Sequence, residues 1–169
     1  MFTRLIAFAS VLLLQACGTV EYKPTEYPLR DGLIPPFNVV GDVQVSNGQP
    51  STDTVIVYSY GPTSMSSNLR AITETMVKQT RGEIAKNGRV SRGGKPKTIE
   101  LKVNSLLSEY GIMVFNSKLQ FQAKLGNGET VERTVPHRSG IVQQNLNGSI
   151  AESVMTLLRD QKVLAYLGR

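Results

Sequence analysis

Few side chains in this 169-residue sequence can do covalent or acid–base chemistry: there is one Cys, Cys17, and one His, His137. A Ser/His or Cys/His mechanism would need His137 as its base. That residue sits in Val135-Pro136-His137-Arg138, just past the last expected strand and far along the chain from Cys17, where a surface-loop histidine is the expectation. One Cys excludes an intramolecular disulfide. Together with one His it cannot build a Cys/His zinc site or an iron–sulfur cluster, so any metal would have to be held by oxygen. No G-x-S-x-G elbow, P-loop, G-x-G-x-x-G or H-E-x-x-H occurs. Glu100, Glu109, Glu129 and Glu132 fall in strand, turn or hairpin settings that single out no acid–base pair, so a non-enzymatic protein without a cofactor is expected. The remaining chemistry is electrostatic. Residues 91–97 read SRGGKPK, and Arg92, Lys95 and Lys97, with Arg89 just before them, form the densest positive cluster. Gly93-Gly94 could turn backbone donors toward a phosphate there, which makes the stretch a candidate anion-binding loop. The whole chain, with 19 Lys+Arg against 13 Asp+Glu, carries a formal charge of +6, a tilt toward anionic partners.

Where such a loop would meet anions depends on the N-terminus. Met-Phe-Thr-Arg4 carries one positive charge, and Leu5 to Leu14 follow as an apolar run interrupted only by Ser10. As a helix that run spans about 15 Å, roughly half the hydrocarbon thickness of a bilayer, so it reads as a signal peptide rather than a membrane span. It ends in Leu14-Gln15-Ala16-Cys17-Gly18, which resembles the lipobox of bacterial lipoproteins. The resemblance implies that residues 1–16 are removed and that Cys17 becomes the first residue, carrying a covalent diacylglycerol and an N-acyl chain such as palmitate. Two or more acyl chains hold firmly where one holds reversibly. Gly18, in place of an Asp, implies the periplasmic face of the outer membrane. Loss of Arg4 leaves 18 − 13 = +5 on residues 17–169. The anions at that address are lipopolysaccharide, phospholipid headgroups and peptidoglycan carboxylates, and nucleic acid is excluded by compartment.

The elements that must position these residues follow from periodicity. Residues 18–36, with prolines at 24, 28, 35 and 36, read as a Pro-rich tether reaching about 60 Å when extended. Alternatively, Tyr22, Tyr27, Leu29 and Leu33 dock it along the domain as an edge segment. Phe37, Val39, Val43 and Val45 share a face at a period of two and predict one strand, and Thr54 to Tyr58 predicts a central one. Between Thr63 and Asn87, apolar residues at three- and four-residue steps predict an amphipathic helix, started by Pro62 and Thr63-Ser64 and ended by a left-handed cap at Asn87-Gly88. Ile99 to Val103 alternate as a strand. Further alternation from Ile112 to Leu125 leads into a hairpin at Gly126-Asn127-Gly128, with Thr130 to Val135 as the partner. A capping box at Ser149 to Glu152 opens a second helix, and Asp160 restarts a final turn with Val163, Leu164 and Leu167. The sum is a single α+β domain over residues 37–169, a mainly antiparallel sheet of about five strands with two helices packed on one face.

With its lipobox at Cys17, the Pro-containing segment, the Ile99-Leu101-Val103 strand leading to the Asn127-Gly128 hairpin and the closing helix from Ile150 to Leu167, the chain resembles the YajG-like family of small bacterial lipoproteins. The likeness covers the N-terminal signature and about the last 70 residues at the level of pattern. It implies an outer-membrane lipoprotein anchored in membrane lipid, whose periplasmic domain binds another envelope component: a protein, peptidoglycan or lipopolysaccharide. The narrower alternative is an accessory subunit of a lipid or lipopolysaccharide transport or assembly system, with the basic loop on anionic headgroups.

Overall fold

In the computed structural model of the chain, residues 18–169 are described, and Cys17 with the predicted signal peptide lies outside them. The strands are β1 (Thr19–Glu21), β2 (Phe37–Val40), β3 (Val43–Asn47), β4 (Thr54–Tyr60), β5 (Thr63–Asn68), β6 (Gly88–Ser91), β7 (Lys97–Tyr110), β8 (Phe115–Leu125) and β9 (Thr130–Ser139). The helices are α1 (Leu69–Asn87), α2 (Val142–Leu158) and α3 (Gln161–Leu167).

The α+β class is as the periodicity predicts, and the antiparallel β7–β8–β9 meander forms its spine. Two details differ. The main sheet has seven strands rather than about five, in the order β1-β5-β4-β7-β8-β9 with β3 also on β7, and a separate pair joins β2 to β6. It is mixed rather than mainly antiparallel by pairing, since β1 runs parallel to β5, and both β3 and β4 run parallel to β7. The extra strands are β1, three residues that pair with β5 far along the chain, and β5, the hairpin partner of β4, whose polar sequence TSMSSN has no apolar alternation to announce it. Strand β7 is long enough to take β3 along Lys97–Leu101 and β4 at Ser108 on the same edge.

Along β7 the inward positions Ile99, Leu101 and Val103 alternate until a register shift before Ser105, after which Leu106 and Ser108 point in. Leu119 and Phe121 of β8 share that face with Val131 and Val135 of β9, and Ile72 and Met76 of α1 with Leu146, Ile150 and Val154 of α2 complete the core. The opposite face carries Glu100, Lys118, Gln120 and Glu132 and is exposed.

Several boundaries move. The predicted Phe37–Val45 strand breaks at Gly41, whose φ of +79° sends β2 and β3 into different sheets. The predicted helix begins only at Leu69: Thr63 to Asn68 form β5, and the Asn68 side chain accepts the Ala71 N–H at 2.8 Å as the true N-cap. Gly88 is not a left-handed cap, since its φ is −78°. It is small because a Cβ there would lie 2.6 Å from the Ile84 carbonyl oxygen and 3.0 Å from Val39. Helix α2 starts at Val142 rather than at Ser149, which is buried within it, so the capping box does not form. Asp160 does cap α3, accepting from the Lys162 N–H at 2.9 Å, and α3 becomes a third helix among the described residues. His137 is a half-buried residue of β9, not a loop residue.

Of the two expectations for residues 18–36, the structure has the docked one. Strand β1 pairs with β5, and the Tyr22 side chain, 2% exposed, donates its hydroxyl to Asn147 Oδ1 at 2.6 Å. Gln79 of α1 donates to the Tyr27 carbonyl at 2.6 Å, and Arg159 reaches the Leu33 carbonyl. These bonds strap the segment across the helix layer. No helix among the described residues is long and apolar enough to cross a membrane.

Candidate anion-binding site

The predicted basic loop after β6 lies against Gly41, where a Cβ would stand 3.1 Å from the Lys95 carbonyl oxygen, and leads into β7 at Lys97. Lys97 is therefore a strand residue. It is 7% exposed, and its ammonium donates to the Arg169 main-chain oxygen at 2.9 Å while lying 5.7 Å from the Tyr166 ring centroid. A buried ammonium needs such partners. Tyr166, on α3, is clamped in turn: its hydroxyl accepts the Thr98 N–H at 2.9 Å and the Gly126 N–H at 3.2 Å, and donates to the Thr98 carbonyl. A Cβ on Gly126 would come 2.6 Å from that hydroxyl, so the glycine lets the β8–β9 hairpin close on α3.

These contacts build a depression of about 540 Å³ between the start of β7, the β8–β9 turn and α3. Lys95, Lys97, Lys162 and Arg169 line it against one acid, Glu129. Lys95, Lys162 and Arg169 are exposed, and with Lys97 bonded beneath them they are the cations free to meet a ligand. Such a field concentrates carboxylates or phosphates. The four residues of the predicted loop are thus divided. Lys95 and Lys97 join the depression, whereas Arg89 is an exposed residue of β6 opposite Asn38 and Arg92 follows it in the loop, neither of them lining the site. Lys162 and Arg169 were not legible as partners. Their charge is plain in the sequence, but only the packing of α3 on the first residues of β7 brings them there.

A second depression, about 470 Å³, lies on the open sheet face around Leu107, Glu109, Lys118, Pro136 and Arg138 and mixes both signs of charge. On the covered face, the His137 ring packs into the space left by Gly148, whose Cβ would lie 2.2 Å from Nε2. Burial lowers its pKa, with Glu152 opposing. Its imidazole makes no hydrogen bond among the described residues, and the nearby Ser117 and Ser149 hydroxyls bond each other. No three His, Cys, Asp or Glu side chains among the described residues come together to hold a metal ion.

No family model and no curated protein matches the chain. Solved structures similar to it include three from bacteria. Protein XCC0632 from Xanthomonas campestris, of the DUF330 family, is 15% identical over 88% of this chain and 92% of its own, with a TM-score of 0.44. A putative neuraminyllactose-binding hemagglutinin homolog from Helicobacter pylori is 6% identical over 85% and 94%, with a TM-score of 0.35. Lipoprotein GNA1162 from Neisseria meningitidis is 14% identical over 72% and 96%, with a TM-score of 0.32. No residue role is carried over from them.

Proposed function

We propose that the chain is a non-enzymatic lipoprotein, of the YajG-like kind, anchored through acylated Cys17 in the periplasmic face of the outer membrane, and that its domain binds an anionic envelope component at the cationic depression of α3. The observation carrying this reading is the convergence of Lys95, Lys162 and Arg169 over the buried Lys97, with Glu129 as the one lining acid. Position narrows the ligand. Strand β7 runs from this depression at Lys97 to Tyr110, about 40 Å at 3.3 Å per residue. Gly18, the first residue after Cys17, is level with the Tyr110 end, because β1 is in register with β5 from Ser64 and β4 pairs Tyr58 with Ser108 beside it. An anchor at Cys17 therefore points the depression away from its own membrane. This favours the carboxylates of peptidoglycan over headgroups of the anchoring leaflet, and so over the narrower transport-accessory reading in which the basic loop touches those headgroups.

Sedimentation with purified sacculi tests the reading. The wild-type protein should co-sediment, and Lys95→Gln with Lys162→Gln and Arg169→Gln should lose most of that binding, on the order of tenfold if each lost ionic contact is worth about 0.5 kcal/mol. Equal binding by the triple variant, or binding by lipopolysaccharide or anionic vesicles alone, rejects peptidoglycan as the ligand of this site.

A further inference from the structure

The end of the sheet opposite the cationic depression has the reverse character. Four segments lie there: residues 18–20 at the start of β1, 59–65 at the β4–β5 turn, 111–115 at the β7–β8 turn and 139–144 at the junction of β9 with α2. None of the four contains a charged residue. Ile112 is 91% exposed and Met113 83%, with Tyr60, Tyr110, Val20 and Ile141 exposed around them. Tyr60 and Tyr110 stack with ring centroids 4.9 Å apart, and Tyr110 meets Phe115 at 5.2 Å, so the apolar tip stands on a rigid aromatic base.

The tip itself is not what folding alone would select. Met113 adopts φ +60°, the one positive value among non-glycine residues described, in a four-residue turn closed by the Gly111 N–H on the Val114 carbonyl at 2.7 Å. Glycine or asparagine would hold that conformation with less strain and would expose no apolar surface. A strained backbone that presents two large apolar side chains to water is stabilised by neither term, and such outliers gather where a chain meets something else.

The place where the chain leaves the described fold identifies the occupant. Gly18 lies at this same end, three strands from β7 in the sheet order β1-β5-β4-β7, or about 15 Å at 4.8 Å per strand. Cys17 is the next residue, so an acylated Cys17 brings the bilayer to this surface without a spacer. We propose that the uncharged end of the sheet docks on the leaflet that holds the anchor, with Ile112 and Met113 inserted among the acyl chains and Tyr60 and Tyr110 at the headgroup boundary. Aromatic residues of that amphipathic kind settle at membrane interfaces. The choice of leaflet rests on the Cys17 anchor; the insertion does not. The anchor then supplies affinity and the tip supplies orientation, holding the cationic depression outward.

The absence of Trp from the sequence gives a direct test. Full-length protein carrying Ile112→Trp, purified from membranes and reconstituted into phosphatidylethanolamine–phosphatidylglycerol vesicles, has a single indole at the tip. Its emission should shift to the blue relative to that of an exposed indole in detergent-free buffer, and it should be quenched by brominated acyl chains. Asn127→Trp, at the distal hairpin, should show neither effect. Unshifted, unquenched emission from the Ile112→Trp protein overturns the docking. A blue shift without quenching by brominated lipid also overturns it, because the tip is then buried against protein, such as a second copy. Palmitate labelling of the same samples reads the anchor separately, so loss of labelling with the tip indole still quenched rejects the anchor and keeps the tip.

Discussion

Tyr22 shows how much a single side chain decides here. Its ring is buried, its hydroxyl donates to Asn147, and burial pushes its ionisation well above the ordinary phenol range. Tyr22→Phe should cost about 1–2 kcal/mol in urea unfolding, and hydrogen exchange should rise over residues 22–34 as the strap loosens. His137 is the residue through which pH reaches the fold. Its folded-state pKa is lowered from 6.5 by burial. The unfolded chain binds the proton more readily, so this contribution is fully present above about pH 6.5 and is lost as the pH falls through the lower folded-state value. His137→Gln should therefore show a shallower fall in Tm than wild type between neutral and mildly acidic pH. An identical slope would show that the imidazole is not shielded. Neither role is legible in the sequence. The sequence offers Tyr22 as a docking residue without naming Asn147 as its partner, and the pocket for His137 is made by the missing side chain of Gly148, a neighbour only in space.

Elements are legible in proportion to how much of their pattern is local. The β7–β8–β9 meander, with its alternation and Asn127-Gly128 turn, follows its sequence pattern in kind, as does the Asp160 cap of α3. The start of helix α2 escapes its pattern because the first two turns, Gln143 to Gly148, look polar. Asn145 in fact bonds Ser108 Oγ at 2.8 Å and the Phe115 carbonyl at 3.0 Å, and Asn147 bonds the strap, so buried polar groups are satisfied by partners far along the chain. Gly88 marks the same limit. Its place after Asn87 suggests a left-handed cap, but it is required by the close approach of Ile84 and Val39. Gly88→Ala should destabilise by about 1–3 kcal/mol, since backbone must move to admit the methyl. An unchanged or higher stability would mean that the contact relaxes freely.

At the scale of the whole molecule the cationic depression and the apolar tip lie at opposite ends of β7. Cys17→Ser should give a protein that takes up no labelled palmitate and leaves the membrane fraction, and continued labelling would overturn the anchor. The same variant should retain sacculus binding, because the cations that carry it are about 40 Å away along β7. The signal-peptide and lipobox patterns, the class of the fold and the sign of the basic cluster can all be read from the amino-acid order, since each depends on composition or on neighbours within a few residues. Three-dimensional packing set the rest: that the Pro-containing segment lies on the domain, that Lys95 and Lys97 part from Arg89 and Arg92 to join Lys162 and Arg169, and that Gly18 shares an end with Ile112 and Met113. The physical reason is the same in each case. Parallel pairing and helix-on-sheet packing join segments through hydrogen bonds and contacts that have no period in the sequence, so only the folded chain brings those groups together.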